Sequence, residues 1–425
     1  MPDGSSTAHL YRPKLVSALG EGYGSAKFRA DLVAAITVAI VALPLSMAIA
    51  VASGVGPERG LYAAIIGGTL VSALGGSRYQ IGGPAGAFIT LVAATVARCG
   101  VEGLLLTVML SGILLVILGA LRIVSLIRHI PHAVTVGFTS GIAVTIFASQ
   151  LKDLGGLKLM VPEPGPLLAK LQVLAGAVTT ITPAALILGL AGVALILALR
   201  RFYPAWPRKL IVVVLASAVV AILHLPVETI GSRFGGIPHG LIAPQLPPLS
   251  WSLILALLPS VLSFTLLGGI ESLLSAKVAD AMTARRHRSN MELVAQGIAN
   301  IASALFGGIS VTGTIARTAT NIRAGARTPL AGIMHAALLL VFMMVAAPLA
   351  SYVPLCALAA VLVVVCWNMA ERAEFARLLT TWHTAVVLMA TFAFTVLVDL
   401  TAGIVSGCIA AAILAFFRRP THQGH

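Results

Sequence analysis

The chain has 425 residues, of which 58% are hydrophobic and only 10% charged, with a mean hydropathy of +1.00. A soluble domain carries about a quarter charged residues, so this chain has too little polar surface to cover itself in water, and an ordinary soluble globule is excluded. A net charge of +14 would suggest nucleic-acid binding in a soluble protein. In an apolar chain of this kind the positions of Lys and Arg matter more than their sum, and no nucleic-acid partner is expected.

Residues 1–29 are polar and lack a cleavable signal pattern, so the first apolar segment reads as a retained span. A spanning helix needs about 20 apolar residues. In chain order, spans are predicted at 30–53, 58–76, 84–98, 101–121, 131–151, 182–200, 209–225, 251–279, 291–308, 313–326, 328–348, 354–370, 381–399 and 401–417. The fold class is therefore all-α integral membrane, with about fourteen segments. Charge placement agrees with this division. With the N-terminus inside, only Arg59, Arg98, Lys152, Lys158, Lys170 and Arg233 fall outside, Lys277 and Arg317 fall within spans, and every other Lys and Arg is internal. Both termini are then cytoplasmic. Cys99, Cys356, Cys366 and Cys408 lie singly in apolar stretches without metal-ligand spacing, so neither a disulfide framework nor a metal site is expected, and no cofactor.

Two segments differ from ordinary spans. GGPAGAFITLVAATVAR (82–98) and GGISVTGTIARTATNIRAGA (307–326) are short, rich in small residues, and each begins with a Gly pair. They are third among the first seven spans and third among the second seven. Short Gly-interrupted segments at matching positions in two halves point to an inverted-repeat transporter site. RIVSLIRHI (122–130) and ERAEFARLL (371–379) read as short amphipathic helices that support the repeat less well, because their ordinal positions differ.

A helix that begins inside the membrane leaves its first N–H groups without partners and carries a partial positive charge at that end. Two such ends facing one another attract an anion. The candidate ends are Ala85, Gly86, Ala87 and Phe88 in the first half and Thr314, Ile315, Ala316 and Arg317 in the second. Small side chains there, Gly313 included, admit a ligand to the backbone, and Arg317 adds a full charge. The same small residues also suit helix packing, and the matching positions favour a site. Glu271, in GGIESLLSAK, is the carboxylate farthest from a predicted membrane edge; Asp31, Glu102, Asp280, Glu292 and Asp399 fall near span ends. An intramembrane carboxylate is paired, protonated or in a water-filled cavity, and by default marks function. Lys277 can snorkel, His335 reads as a core histidine, and Pro44 is expected to break or kink the first span. Ser46, Ser272 and Ser275 are candidate substrate contacts that can equally bond their own helices.

The stretches DLVAAITVAIVALPLSMAIAVASGVGPERGLYAAIIGG, SRYQIGGPAGAFI, GGIESLLSAKVADAMTARRHRSNMELVAQGIANI and GGISVTGTIARTATNIRAGARTPLAGI closely resemble the bacterial SulP anion transporters, solute carrier family 26 in animals. The likeness runs from Asp31 to the last span. It implies seven plus seven inverted repeats, with a core domain at 30–121 and 251–348 and a gate domain at 122–250 and 349–417. It places substrate between the third- and tenth-span half-helices, lined also by Leu43, Pro44, Ser46, Glu271, Ser272 and Ser275. It further implies sulfate, bicarbonate, chloride or dicarboxylate as substrate, elevator-like movement, a homodimer, and proton or sodium coupling at Glu271. The family's C-terminal STAS domain has no counterpart in the tail 418–425, RRPTHQGH. The expected function is a proton-coupled secondary transporter of small anions such as sulfate, bicarbonate or fumarate, multi-pass in the inner (plasma) membrane. The rivals are a passive anion exchanger or channel on the same fold and a nucleobase–cation symporter. No catalytic cluster appears, so no enzyme is expected.

Overall fold

The computed structural model describes residues 11–122 and 131–417, apart from 162, 165, 205 and 399. Most of the segment 122–130 predicted as an amphipathic helix, together with Asp399 and the tail 418–425, lies outside the described residues.

After a short helix α1 (Lys14–Gly20), α2 (Ser25–Ala52) is apolar around its whole circumference, as a span shared between neighbouring helices must be. Of the break or kink expected at Pro44, the break does not occur. The helix runs through it without interruption, with Leu43 to Met47 all buried, and packing around a spanning helix tolerates the missing donor. The second span is composite. Helix α3 (Pro57–Tyr62) passes through a π-helical turn (Ala63–Gly67) into α4 (Gly68–Leu74). At Gly67 a Cβ would lie 2.3 Å from Val311 Cγ2, so only glycine lets this turn approach the second half.

Strand β1 (Gly82–Gly83) is followed by a 3₁₀ turn (Gly86–Phe88) that opens α5 (Ile89–Ala120). Gly100, at φ 68°, interrupts α5 between the predicted third and fourth spans, a left-handed position suited to glycine. Then follow α6 (His132–Gly155), α7 (Leu167–Gly176), α8 (Pro183–Phe202), α9 (Arg208–Leu223), α10 (Ile230–Phe234), α11 (Trp251–Thr283) and α12 (Ser289–Leu305). Strand β2 (Thr312–Gly313) leads into α13 (Ile315–Arg323), and the chain closes with α14 (Leu330–Ala350), α15 (Leu355–Met369), α16 (Arg372–Leu379), α17 (Trp382–Leu397) and α18 (Leu400–Phe417). Helix α16 is the predicted amphipathic ERAEFARLL segment, whereas α7 lies in a stretch the sequence reads as loop. Among the described residues, seven helices are long and apolar enough to cross a membrane by themselves. The count of fourteen rests on the shorter helices, which length alone does not assign.

The helices pack as two groups. In one, α5 lies against α11 and α12, α2 against α14, and α13 between α2 and α11. In the other, α6 packs on α15 and α17, α17 on α18, and α8 on α9 and α15. Small residues set the close distances, as in other membrane bundles. A Cβ on Gly112 would meet the Gly297 carbonyl oxygen at 2.6 Å, and one on Gly297 would meet that of Gly112 at 2.4 Å. In the second group Gly403 and Gly407 lie against Thr395 and Thr391. Helix α2 reaches across to α9 and α15, and the candidate site lies at this junction.

Candidate substrate site

The two predicted helix ends meet. Strands β1 and β2 pair antiparallel, Gly82 opposite Gly313 and Gly83 opposite Thr312. One strand comes from each half of the chain, and each is followed within a few residues by a helix beginning in the protein interior. Ala85 and Thr314 are the N-cap residues, both in extended conformation, and neither side chain caps its helix.

The glycines here are consequences of close approach. A Cβ on Gly313 would sit 1.3 Å from Gln80 Nε2, and one on Gly83 would sit 2.1 Å from Arg317 Nη1. Gln80 crosses Gly313 to donate to the Ser272 carbonyl at 3.0 Å. Ser272 Oγ lies 2.7 Å from Thr312 Oγ1 and accepts from the Gly313 N–H. Thr318 Oγ1 accepts from the Ile81 N–H at 3.2 Å and from Ser275 Oγ at 3.3 Å. Asn300 holds Val311 through both its N–H and its carbonyl. Further out, Asp31 accepts from the Arg327 and Thr328 N–H groups and the Thr328 hydroxyl, tying the start of α2 to the loop after α13.

Between the two ends and the second helix group lies a cavity of about 310 Å³. Its lining includes Ala85, Gly86 and Ala87 from the first end, Thr314, Ile315, Ala316 and Arg317 from the second, and Glu271 from α11. Arg317 is fully buried. Its Nη2 donates to Ser46 Oγ at 3.1 Å and to the Pro84 carbonyl at 3.2 Å, while Nε and Nη1 have no protein partner among the described residues. Glu271 Oε2 is likewise buried and unpartnered. A buried charge without full hydrogen bonding is costly, so this arrangement suits a group that completes it from the cavity.

The other predicted contacts stand elsewhere. Leu43 and Pro44 line a separate apolar cavity with α9 and α14, because they lie on a different face of α2. Ser46 acts behind Arg317, donating to the Ala42 carbonyl and accepting from the guanidinium. Ser272 and Ser275 are spent on β2 and α13, and Phe88 packs edge-on against Phe264 at 5.4 Å. Lys277 is exposed on α11 and His335 is buried in α14, both outside the cavity lining. The second helix group contributes residues that sequence reasoning passed over: Thr135, Phe138, Thr139, Lys209, Asn368 and Glu371. Lys209 had an available signal, a cation at a predicted span boundary, but such residues are ordinarily read as topology markers.

A multi-span helical bundle whose two halves each send a broken helix to one buried, charged cavity defines a membrane transporter. The sulfate permease family profile matches residues 28–392. The chain is 43% identical over 402 residues to the Bacillus subtilis protein named "Putative sulfate transporter YvdB", covering 94% of this chain and 75% of the other. It is 32% identical over 415 residues to the bicarbonate transporter BicA of Picosynechococcus, covering 93% and 71% respectively. The solved transmembrane domain of a cyanobacterial BicA superposes with a TM-score of 0.82 at 31% identity, over 90% of this chain and 98% of that one. SLC26A9 shares the fold, with a TM-score of 0.87 at 17% identity over 97% of this chain and 69% of that one. The chain belongs to the sulfate permease family, whose members are transporters rather than enzymes.

Proposed function

We propose that the chain is a secondary active transporter of small anions, coupled to protons through Glu271. The observation that carries this reading is the convergence of two uncapped helix ends, the half-free Arg317 guanidinium and the unpartnered Glu271 carboxyl on one cavity. The helix ends and Arg317 provide positive potential for an anion. Glu271 provides a group that can carry a proton with it, since a neutral carboxyl no longer opposes the anion. In this reading Ala85, Gly86, Ala87, Thr314, Ile315, Ala316 and Arg317 bind substrate.

The two helix groups act as the expected domains: core at 30–121 and 251–348, gate at 122–250 and 349–417. The paired strands and their hydrogen bonds join both helix ends within the core, so substrate travels with the core as it slides against the gate. The cavity shares Asn368 and Glu371 with a surface hollow beside α16. With both termini cytoplasmic this side is the inside, and the cavity is inward-open. A homodimer in the inner (plasma) membrane is the assembly proposed.

The test is uptake of labelled sulfate, bicarbonate and fumarate into proteoliposomes, with and without an inward proton gradient, for wild type and Glu271→Gln. Accumulation of one anion that needs both the gradient and Glu271 is the expected result. Flux that ignores the gradient and survives Glu271→Gln makes the protein a passive exchanger or channel. Saturation then separates those two.

A further inference from the structure

Lys209 is the second residue of α9, at the start of a gate-group helix, and lines the same cavity as Arg317 and Glu271. Its ammonium has no hydrogen-bond or ion-pair partner among the described residues. Several other cations of the chain are instead held by protein partners. Lys170 bonds Ser149 and Glu163, Arg233 pairs with Asp153, Arg78 with Glu21, and Arg59 donates to the Gly307 carbonyl. Glu371 also lines the cavity, toward the surface hollow, yet forms no ion pair with Lys209. Lys209 and Arg317 line one and the same cavity, from opposite helix groups. Two like charges beside a low-dielectric cavity raise each other's energy, and an anion between them relieves that cost.

We infer that Lys209 is a specificity-determining residue, the gate-side half of a two-cation receptor with Arg317 that selects divalent anions over monovalent ones. This rests on the anion-transport reading of the same cavity. The charge count explains the selection. With a proton on Glu271 and Glu371 at the end shared with the surface hollow, Lys209 and Arg317 are the two cations of the lining, one from each helix group, and a sulfate or short dicarboxylate can meet both. A monovalent anion leaves one cation uncompensated. Because Lys209 belongs to the gate group and Arg317 to the core group, the divalent anion also spans the interface that must move. Lys209 then favours loading in the inward-open state and is left behind as the core departs.

The experiment measures KM for labelled sulfate, fumarate and bicarbonate in proteoliposomes, for wild type, Lys209→Gln and Lys209→Arg. Wild type is expected to have a lower KM for the two divalent anions. Lys209→Gln should raise their KM about tenfold or more, the worth of one charge-assisted hydrogen bond, with a much smaller change for bicarbonate. Lys209→Arg should restore the divalent preference. A wild type that prefers bicarbonate, or a Lys209→Gln protein with an unchanged divalent-to-monovalent ratio, overturns the assignment while leaving anion transport standing. A wild type that moves none of the three overturns the transport reading itself. The wild-type ratio alone tests the valence claim should Lys209→Gln fail to fold.

Discussion

The two helix ends occupy equivalent places in the two halves but are built differently. The second, before α13, is held by polar bonds: Gly313 to Ser272, Thr318 to Ile81 and Ser275, Asn321 to the Tyr79 carbonyl, and Arg317 to Ser46 and Pro84. The first, before α5, shares those bonds only through the segment that leads into it, at Tyr79, Ile81 and Pro84; the end itself begins as a 3₁₀ turn and packs by apolar contact, with Phe88 against Phe264. Among the described residues the nearest approach to a Gly86 Cβ from another element is Met369 Sδ of α15, at 3.9 Å. One end thus carries a charge and is held by polar bonds, while the other is neutral and lies open toward the second helix group. Positioning a buried guanidinium takes fixed polar partners on one side, here Ser46 and the Pro84 carbonyl on Nη2, and leaves Nε and Nη1 for a ligand, whereas a bare backbone end needs only room for the ligand.

The largest effect expected from this contrast is at Gly313. Gly313→Ala drives a methyl into Gln80, which must give up its bond to Ser272. Overpacking combined with an orphaned buried amide costs about 3 kcal/mol, and the pairing of the two strands goes with it. Thermal unfolding in detergent should fall by several degrees, and uptake of every anion should be lost. A Gly313→Ala protein that melts and transports like wild type would show that the polar frame around the second end is dispensable.

Gly86→Ala is the matching change at the first end and should separate what Gly313→Ala joins. The added methyl meets no atom closer than Met369 Sδ, so the fold accepts it. Replacing glycine in a helical turn even stabilises slightly, by about 0.5 kcal/mol. The methyl nevertheless projects at the cavity where a ligand approaches the backbone N–H groups. Expected are an unchanged or slightly higher melting temperature and a several-fold higher KM. An unchanged KM would mean that only the second end binds, and the two ends would then differ in function as well as in construction.

Both ends were legible in the sequence because breaking a helix inside a membrane demands unusual residues. The Gly pairs that open 82–98 and 307–326, with Gly313, stand out in a chain of long aliphatic runs. Glu271 and Arg317 stood out in the same way, as charges where charge is expensive. The serines were left open: Ser272 and Ser275 lie on the helix beside the paired strands, and one hydroxyl serves equally in a frame or in a site, so that only packing shows their bonds to Thr312, Gly313 and Thr318. The cavity wall from the second helix group was illegible for a related reason. Lys209, Asn368 and Glu371 sit at helix ends, where polar residues are ordinary, and become cavity residues only because α9 and α15 pack against α2.

The smallest expected effect lies at the root of the first end. The loop that carries β1 begins at Gly75, and Arg78 within it is paired with Glu21 of the N-terminal segment. Arg78 holds the Glu21 carboxyl below its ordinary pKa, chiefly through their hydrogen bond. A carboxylate whose pKa is lower in the folded state stabilises the fold above its unfolded-state pKa, and that contribution is lost as pH falls through the folded value. Glu21 is nearly half exposed, so solvent screening limits the pair to about 0.5 kcal/mol. Glu21→Gln should therefore melt slightly below wild type at pH 7, and the two curves should merge as pH drops below about 4. If the gap is large, or persists in acid, the first end depends on polar anchoring as the second does. The contrast between them would then be one of degree.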